Sequence, residues 1–174
     1  MAKTESYKIE LKGLSDGTYE YDYHLDDNFF ASVEDAEVAK GDVNVHLAIK
    51  KIEGNFEFKF LLNGVVKVQC DRCLDEMDCQ IEAENGFTVK YGKENSDEGD
   101  KLVITEDCNE IDLTWYLYEF VALEIPITHA HPEGECNIEM EKLLQQYSGA
   151  KEETEDGEPV DSRWSELKKL IDNN

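Results

Sequence analysis

The chain has 174 residues, with 41 acidic against 17 basic side chains and a net charge of −24. That length suits one domain with a proper core, or a domain with an appendage, and 40% hydrophobic residues are enough to pack it. The charge excludes bulk attraction to a phosphate backbone and favours basic protein partners. No run approaches the roughly 18 apolar residues of a membrane span, so no membrane partner is expected; separately, no small-molecule substrate is expected. The opening Met1-Ala2-Lys3-Thr4-Glu5-Ser6 lacks the apolar region of a signal peptide. Five cysteines without a regular framework predict a reducing compartment, hence a cytoplasmic protein.

In chain order, Tyr7 to Leu11 alternates and predicts a first strand. Gly17 to Tyr23 predicts a second, with its tyrosines on one face. His24 to Ser32 reads as a short helix capped by Asp26. A meander is expected from Asp42 to Tyr91. Val43, Val45, Leu47 and Ile49 alternate, Gly54-Asn55 turns the chain, and Phe56, Phe58, Phe60 and Leu62 share a face. Asn63-Gly64 is a hairpin signal, and a three-residue loop there would pair Phe60 with Val68. A further strand or strand pair runs through Ile81, Ala83, Phe87, Val89 and Tyr91.

Gly92 to Lys101 reads as a loop and Leu102-Val103-Ile104 as a short strand. Helical spacing from Asp112 to Ile125 predicts a helix with Asp112 as N-cap and Pro126 as stop. Glu139 to Tyr147 predicts another. The domain plan is a single α+β domain over 1–149, an acidic linker over 150–160 and a C-terminal helix over 161–174. The fold class is α+β, an antiparallel twisted sheet (the meander) with two or three packed helices.

The chemistry concentrates in Cys70-Asp71-Arg72-Cys73, a Cys-x-x-Cys placed where a strand should turn. Such a turn aims both sulfurs the same way, as a tetrahedral metal or a redox disulfide requires. A second half-site is offered by His131 and Cys136. Together these four give three thiolates and one imidazole, a donor set suited to structural zinc. Against this stands a plain reading, two reduced thiols and a small core cysteine. His129 in place of His131, or Cys79 as third sulfur, are substitutes.

Three pieces together carry a family resemblance. They are Gln69-Cys70-Asp71-Arg72-Cys73-Leu74, Ile111-Asp112-Leu113 running to Glu124-Ile125-Pro126, and Asp161-Ser162-Arg163-Trp164 followed by Leu167 and Leu170. Over roughly residues 40 to 171 the chain resembles the YceD-like family, the large ribosomal RNA subunit accumulation proteins. The resemblance implies a bacterial cytosolic, non-enzymatic factor for accumulation of large-subunit (23S) ribosomal RNA. Its partners would be ribosomal or pre-ribosomal components. Many members carry a second Cys-x-x-Cys after the helix; here that stretch holds His131 and Cys136. Ser162 also stands where the family usually has proline.

Other readings stay open. A dithiol redox enzyme is disfavoured by Asp71, Asp75, Glu76 and Asp78 around the pair, which raise thiol pKa values. No histidine–carboxylate spacing has a hydrolytic or rRNA-processing mechanism behind it. Lys50 opposite Lys59, with Lys67 and Arg72 beyond, could form a basic RNA-contacting stripe or simply a charge-balanced surface. Arg163 and Trp164 could anchor a partner, or the last helix could fold back on the sheet. A structural subunit of a larger complex is a further alternative.

Overall fold

The computed structural model describes residues 7–34 and 36–147. The chain divides into two compact units, Met1–Cys136 and Asn137–Asn174. The first unit is α+β and centres on a six-stranded sheet of order β2-β3-β4-β5-β7-β6, beside a two-stranded sheet of β1 and β8. Its strands are β1 (Lys8–Glu10), β2 (Gly17–Leu25), β3 (Gly41–Ile52), β4 (Asn55–Gln69), β5 (Glu76–Gly92), β6 (Ser96–Asp97), β7 (Lys101–Thr105) and β8 (Glu110–Asp112). Its helices are α1 (Asp27–Ser32) and α2 (Thr114–Glu124). In the second unit, α3 spans Ile138–Tyr147 and has no buried residue. The sequence-predicted linker and last helix, with Arg163 and Trp164, lie outside the described residues.

Strict alternation builds the sheet. Val43, Val45, Leu47 and Ile49 of β3, Phe56, Phe58, Phe60, Leu62 and Val66 of β4, and Ile81, Phe87 and Val89 of β5 are all buried on one face. Helix α2 covers that face. Phe120 meets Phe60 at 5.1 Å between ring centroids, and Tyr116 meets Phe87 at 4.8 Å. Offset and tilted aromatic pairs of this kind add to the plain burial of area. Helix α1 contributes Phe29 and Phe30, and its N-cap Asp26 accepts from the Asn28 and Phe29 amides.

Several expectations are corrected. Asn63-Gly64 is no hairpin: β4 runs straight through it for 15 residues, paired with β3 on one side and β5 on the other. Phe60 therefore faces Leu47 and Asn85 across its neighbours, with no partner in Val68. The glycine serves a close backbone approach, since a Cβ on Gly64 would stand 2.2 Å from the Asp42 carbonyl oxygen. The real turn is Glu53-Gly54, both at positive φ (50° and 79°), which joins Ile52 to Asn55 in the two-residue form that suits strand twist.

Residues 76–92 form one long strand, and β5 pairs with β7 in parallel, the one departure from antiparallel pairing among the described strands. Asp112 ends β8 opposite Lys8, so the N-cap of α2 passes to Leu113. Asp112 still accepts from the Thr114 amide at 2.9 Å.

Register also dissolves the stripe of lysines. Lys50 lies opposite Glu57, and Lys59 lies opposite Ala48. The Lys59 ammonium is 3.4 Å from Glu57, and Lys67 is ion-paired with Asp78. Eight residues of strand put Lys67 about 26 Å from Lys59. These lysines are separate, mostly balanced charges.

Candidate metal centre

Strand β4 ends at Gln69, and its alternation delivers Cys70 to the buried side. There the chain turns through Asp71, Arg72 and Cys73. The Leu74 amide closes the turn on the Cys70 carbonyl at 2.9 Å, and the Cys70 amide reaches the Asp75 carbonyl at 2.9 Å. Leu74 takes φ 63°, a left-handed conformation in which glycine would be easier. The segment after α2 comes alongside: Pro126 stops the helix, and the chain runs on to His131 and, past Gly134 at φ 87°, to Cys136.

Two half-sites thus converge. The ligand atoms of Cys70, Cys73, His131 and Cys136 all lie within 4.8 Å of one another. Cys70 Sγ is 3.9 Å from Cys136 Sγ, and Cys73 Sγ is 3.4 Å from His131 Nδ1. A tetrahedral ion with bonds of about 2.0–2.3 Å sets its donors about 3.3–3.8 Å apart. These two separations are close to that spacing and no pair exceeds 4.8 Å, so the cluster could hold a metal ion. Cys70 and Cys73 are 0% and 2% exposed, which leaves little room for a water ligand on that side.

Backbone amides support the sulfurs. Both the Arg72 and the His131 N–H donate to Cys70 Sγ at 3.4 Å. Burial pushes the Cys70 thiol up, but the amides of Cys73, His131 and Arg72, with the His131 ring, outweigh it and bring the value down to about 5. Burial pushes Cys136 up, and the neighbouring Cys70 and Cys73 sulfurs push it further, to about 11. The His131 imidazole is raised, chiefly by its hydrogen bond to Cys70. Unmetallated, the cluster therefore favours the thiolate form of Cys70 and the protonated form of His131 beyond their ordinary balance. A metal cation would take the place of these protons.

The substitutes lie elsewhere. Cys79 sits in β5 opposite Val66, in the core. His129 lies close to the turn but bonds other groups: its Nδ1–H donates to the Pro126 carbonyl at 2.9 Å, and its backbone N–H donates to Asp71 Oδ2 at 2.8 Å. Reading the sequence missed this role for Asp71 and His129. The only signal was a pair of histidines two residues apart, of which a tetrahedral site with three sulfurs needs one. Arg72 is exposed beside the centre.

A family model described as large ribosomal RNA subunit accumulation protein YceD matches residues 58–171. That is well over half of the chain, and it includes both half-sites. The chain belongs to the YceD family. No curated protein matches significantly, and neither does any solved structure. The YceD match begins inside β4, so the Cys turn, α2 and the His131–Cys136 segment all fall within it. The family's name ties its members to accumulation of large-subunit ribosomal RNA. Among the described residues no helix is long and apolar enough to cross a membrane.

Proposed function

We propose that this YceD-family protein is a non-enzymatic factor for large-subunit ribosomal RNA accumulation, acting in the cytoplasm by binding, with structural zinc at the Cys70–Cys73–His131–Cys136 centre. The observation that carries the reading is the four-donor cluster. Four protein donors would fill every position of a tetrahedral ion, whereas a catalytic zinc keeps one open. Soft sulfurs favour zinc over hard-cation alternatives. The ion would hold the turn after β4 to the segment after α2; it supplies a crosslink and no chemistry. The partner is a basic ribosomal protein or assembly factor, drawn by the surface that gives the chain its net charge of −24.

The test is depletion of the protein in its own cell, with large- and small-subunit rRNA quantified, and sucrose-gradient fractionation of the tagged protein. A selective fall in large-subunit rRNA, and salt-sensitive association with large-subunit precursors, are expected. Unchanged rRNA ratios together with no ribosomal association would end the proposal.

One observation favours a second reading, a dithiol redox protein. The lowered Cys70 thiol resembles a nucleophile. Its 0% exposure argues against attack on a macromolecular disulfide. Purified protein carrying zinc and inert toward disulfide reagents would close that reading; metal-free, reactive protein would open it.

A further inference from the structure

The two half-sites are joined by bonds in which no metal ligand takes part. Asp71 follows Cys70, and His129 precedes His131 by two residues. Their backbones and side chains interlock: the His129 amide donates to Asp71 Oδ2 at 2.8 Å, and the Asp71 amide donates to the His129 carbonyl at 2.9 Å. The His129 ring is anchored as well. Its Nδ1–H is held by the Pro126 carbonyl at 2.9 Å, and Nε2 lies 3.9 Å from Asp71 Oδ1. The side chains are 22% and 44% exposed, so the contact is partly sheltered from water.

We propose that Asp71 and His129 are positioning residues, a clasp that brings the two half-sites together before the ion arrives. Without it, binding would have to order two separate segments of chain, and that ordering cost would be taken from the affinity. With it, Cys70 and Cys73 already face His131 and Cys136. The clasp also settles which histidine serves the ion. His129 has its Nδ1–H committed to the Pro126 carbonyl and lies outside the four-donor cluster, which leaves His131 to serve it. The role of the ion rests on the zinc reading above, but the clasp is made of protein atoms alone.

The test uses the full-length protein and the variants Asp71→Ala, Asp71→Asn and His129→Ala. Asparagine keeps a side-chain oxygen for the His129 amide, and it guards against an alanine variant that fails to fold. Zinc affinity is measured by competition with a chromophoric chelator, the ligand set by the cobalt(II) spectrum, and the clasp by amide exchange of metal-free protein. Loss of a hydrogen bond made to a ligand itself weakens metal binding about 10- to 100-fold, and loss of a clasp one step removed should cost about 10-fold. That loss is expected for Asp71→Ala, with near-complete recovery in Asp71→Asn and an unchanged cobalt spectrum in every variant. The His129 amide should be protected in the metal-free parent and exchange fast in Asp71→Ala.

Equal zinc affinity in Asp71→Ala and parent overturns the proposal. So does a freely exchanging His129 amide in the metal-free parent, or a cobalt spectrum that changes in His129→Ala. A parent that takes up neither metal overturns the zinc reading alone, because the exchange measurement still decides the clasp.

Discussion

The interior of the sheet and the cysteine centre are held by different forces, although β4 runs from one directly into the other. Between Phe56 and Val66 the strand is fixed by apolar burial against β3, β5 and α2, and ring stacks such as Phe58 on Phe87 at 5.0 Å tighten it. In the turn from Asp71 to Asp75 little apolar area is covered, and Leu74 is exposed. Order there comes from amide-to-sulfur bonds, from the Asp71–His129 exchange and from donors spaced for an ion. Burial of area tolerates approximate geometry, whereas a coordination shell does not. The first region should therefore be indifferent to metal, and the second should be tightened by it around a clasp that forms without it.

The largest way to break this comparison is Phe60→Ala. It removes a ring at 0% exposure from the middle of the sheet and should cost about 3–5 kcal/mol in urea unfolding. Zinc affinity of the protein that remains folded should not change. Chelation of the ion comes next. An ion held 100-fold above its dissociation constant stabilises by about 2.7 kcal/mol, so its removal should lower the melting temperature, with amide exchange accelerating over 72–75 and 130–136, and not at the Asp71–His129 clasp or in β3 to β5. Acceleration across the whole sheet would show the two regions to be one. Cys70→Ser should lose the ion and copy the chelated protein.

Gly64→Ala probes the sheet at a backbone contact, where the added carbon meets the Asp42 carbonyl. About 1–3 kcal/mol of destabilisation is expected by urea titration.

Acid sharpens the comparison at the centre. In metal-free protein Cys70 titrates well below its ordinary value. The folded state then binds fewer protons than the unfolded one, and stability rises with pH. The contribution of this thiolate is complete above the unfolded thiol value and is lost as pH falls through about 5. The raised His131 acts in the opposite sense, losing its contribution as pH rises through its folded value. An ultraviolet thiolate step near pH 5, absent in Cys70→Ser, is the check. The smallest effect belongs to Leu74→Gly. It relieves a left-handed residue but frees the unfolded chain, a net change of about 1 kcal/mol or less by thermal melt.

Legibility in the sequence follows the same divide. The alternation of β3 and β4, the cap at Asp26 and the stop at Pro126 could be read because each rests on neighbours in the chain. Asn63-Gly64 misled because a local turn signal was overruled by two flanking strands, which no short window contains. The parallel pairing of β5 with β7 and the loss of Asp112 as a cap have the same cause, since both depend on partners distant in sequence. At the centre, donor chemistry singled out Cys70, Cys73, His131 and Cys136, because few side chains bind soft metals. The exchange between Asp71 and His129 could not be read, because it exists only once α2 has brought its C-terminal segment alongside the turn.

Strand β4 has a consequence for quality control of folding. Its side chains alternate without a break from Phe56 to Cys70, so a slip of one residue in pairing would turn every ring of the core outward and the first sulfur away from its three companions. On the zinc reading, a misregistered chain would lose the ion. Metal capture would then report, at one end of the sheet, that hydrogen bonding some 15 residues long has settled in its proper frame.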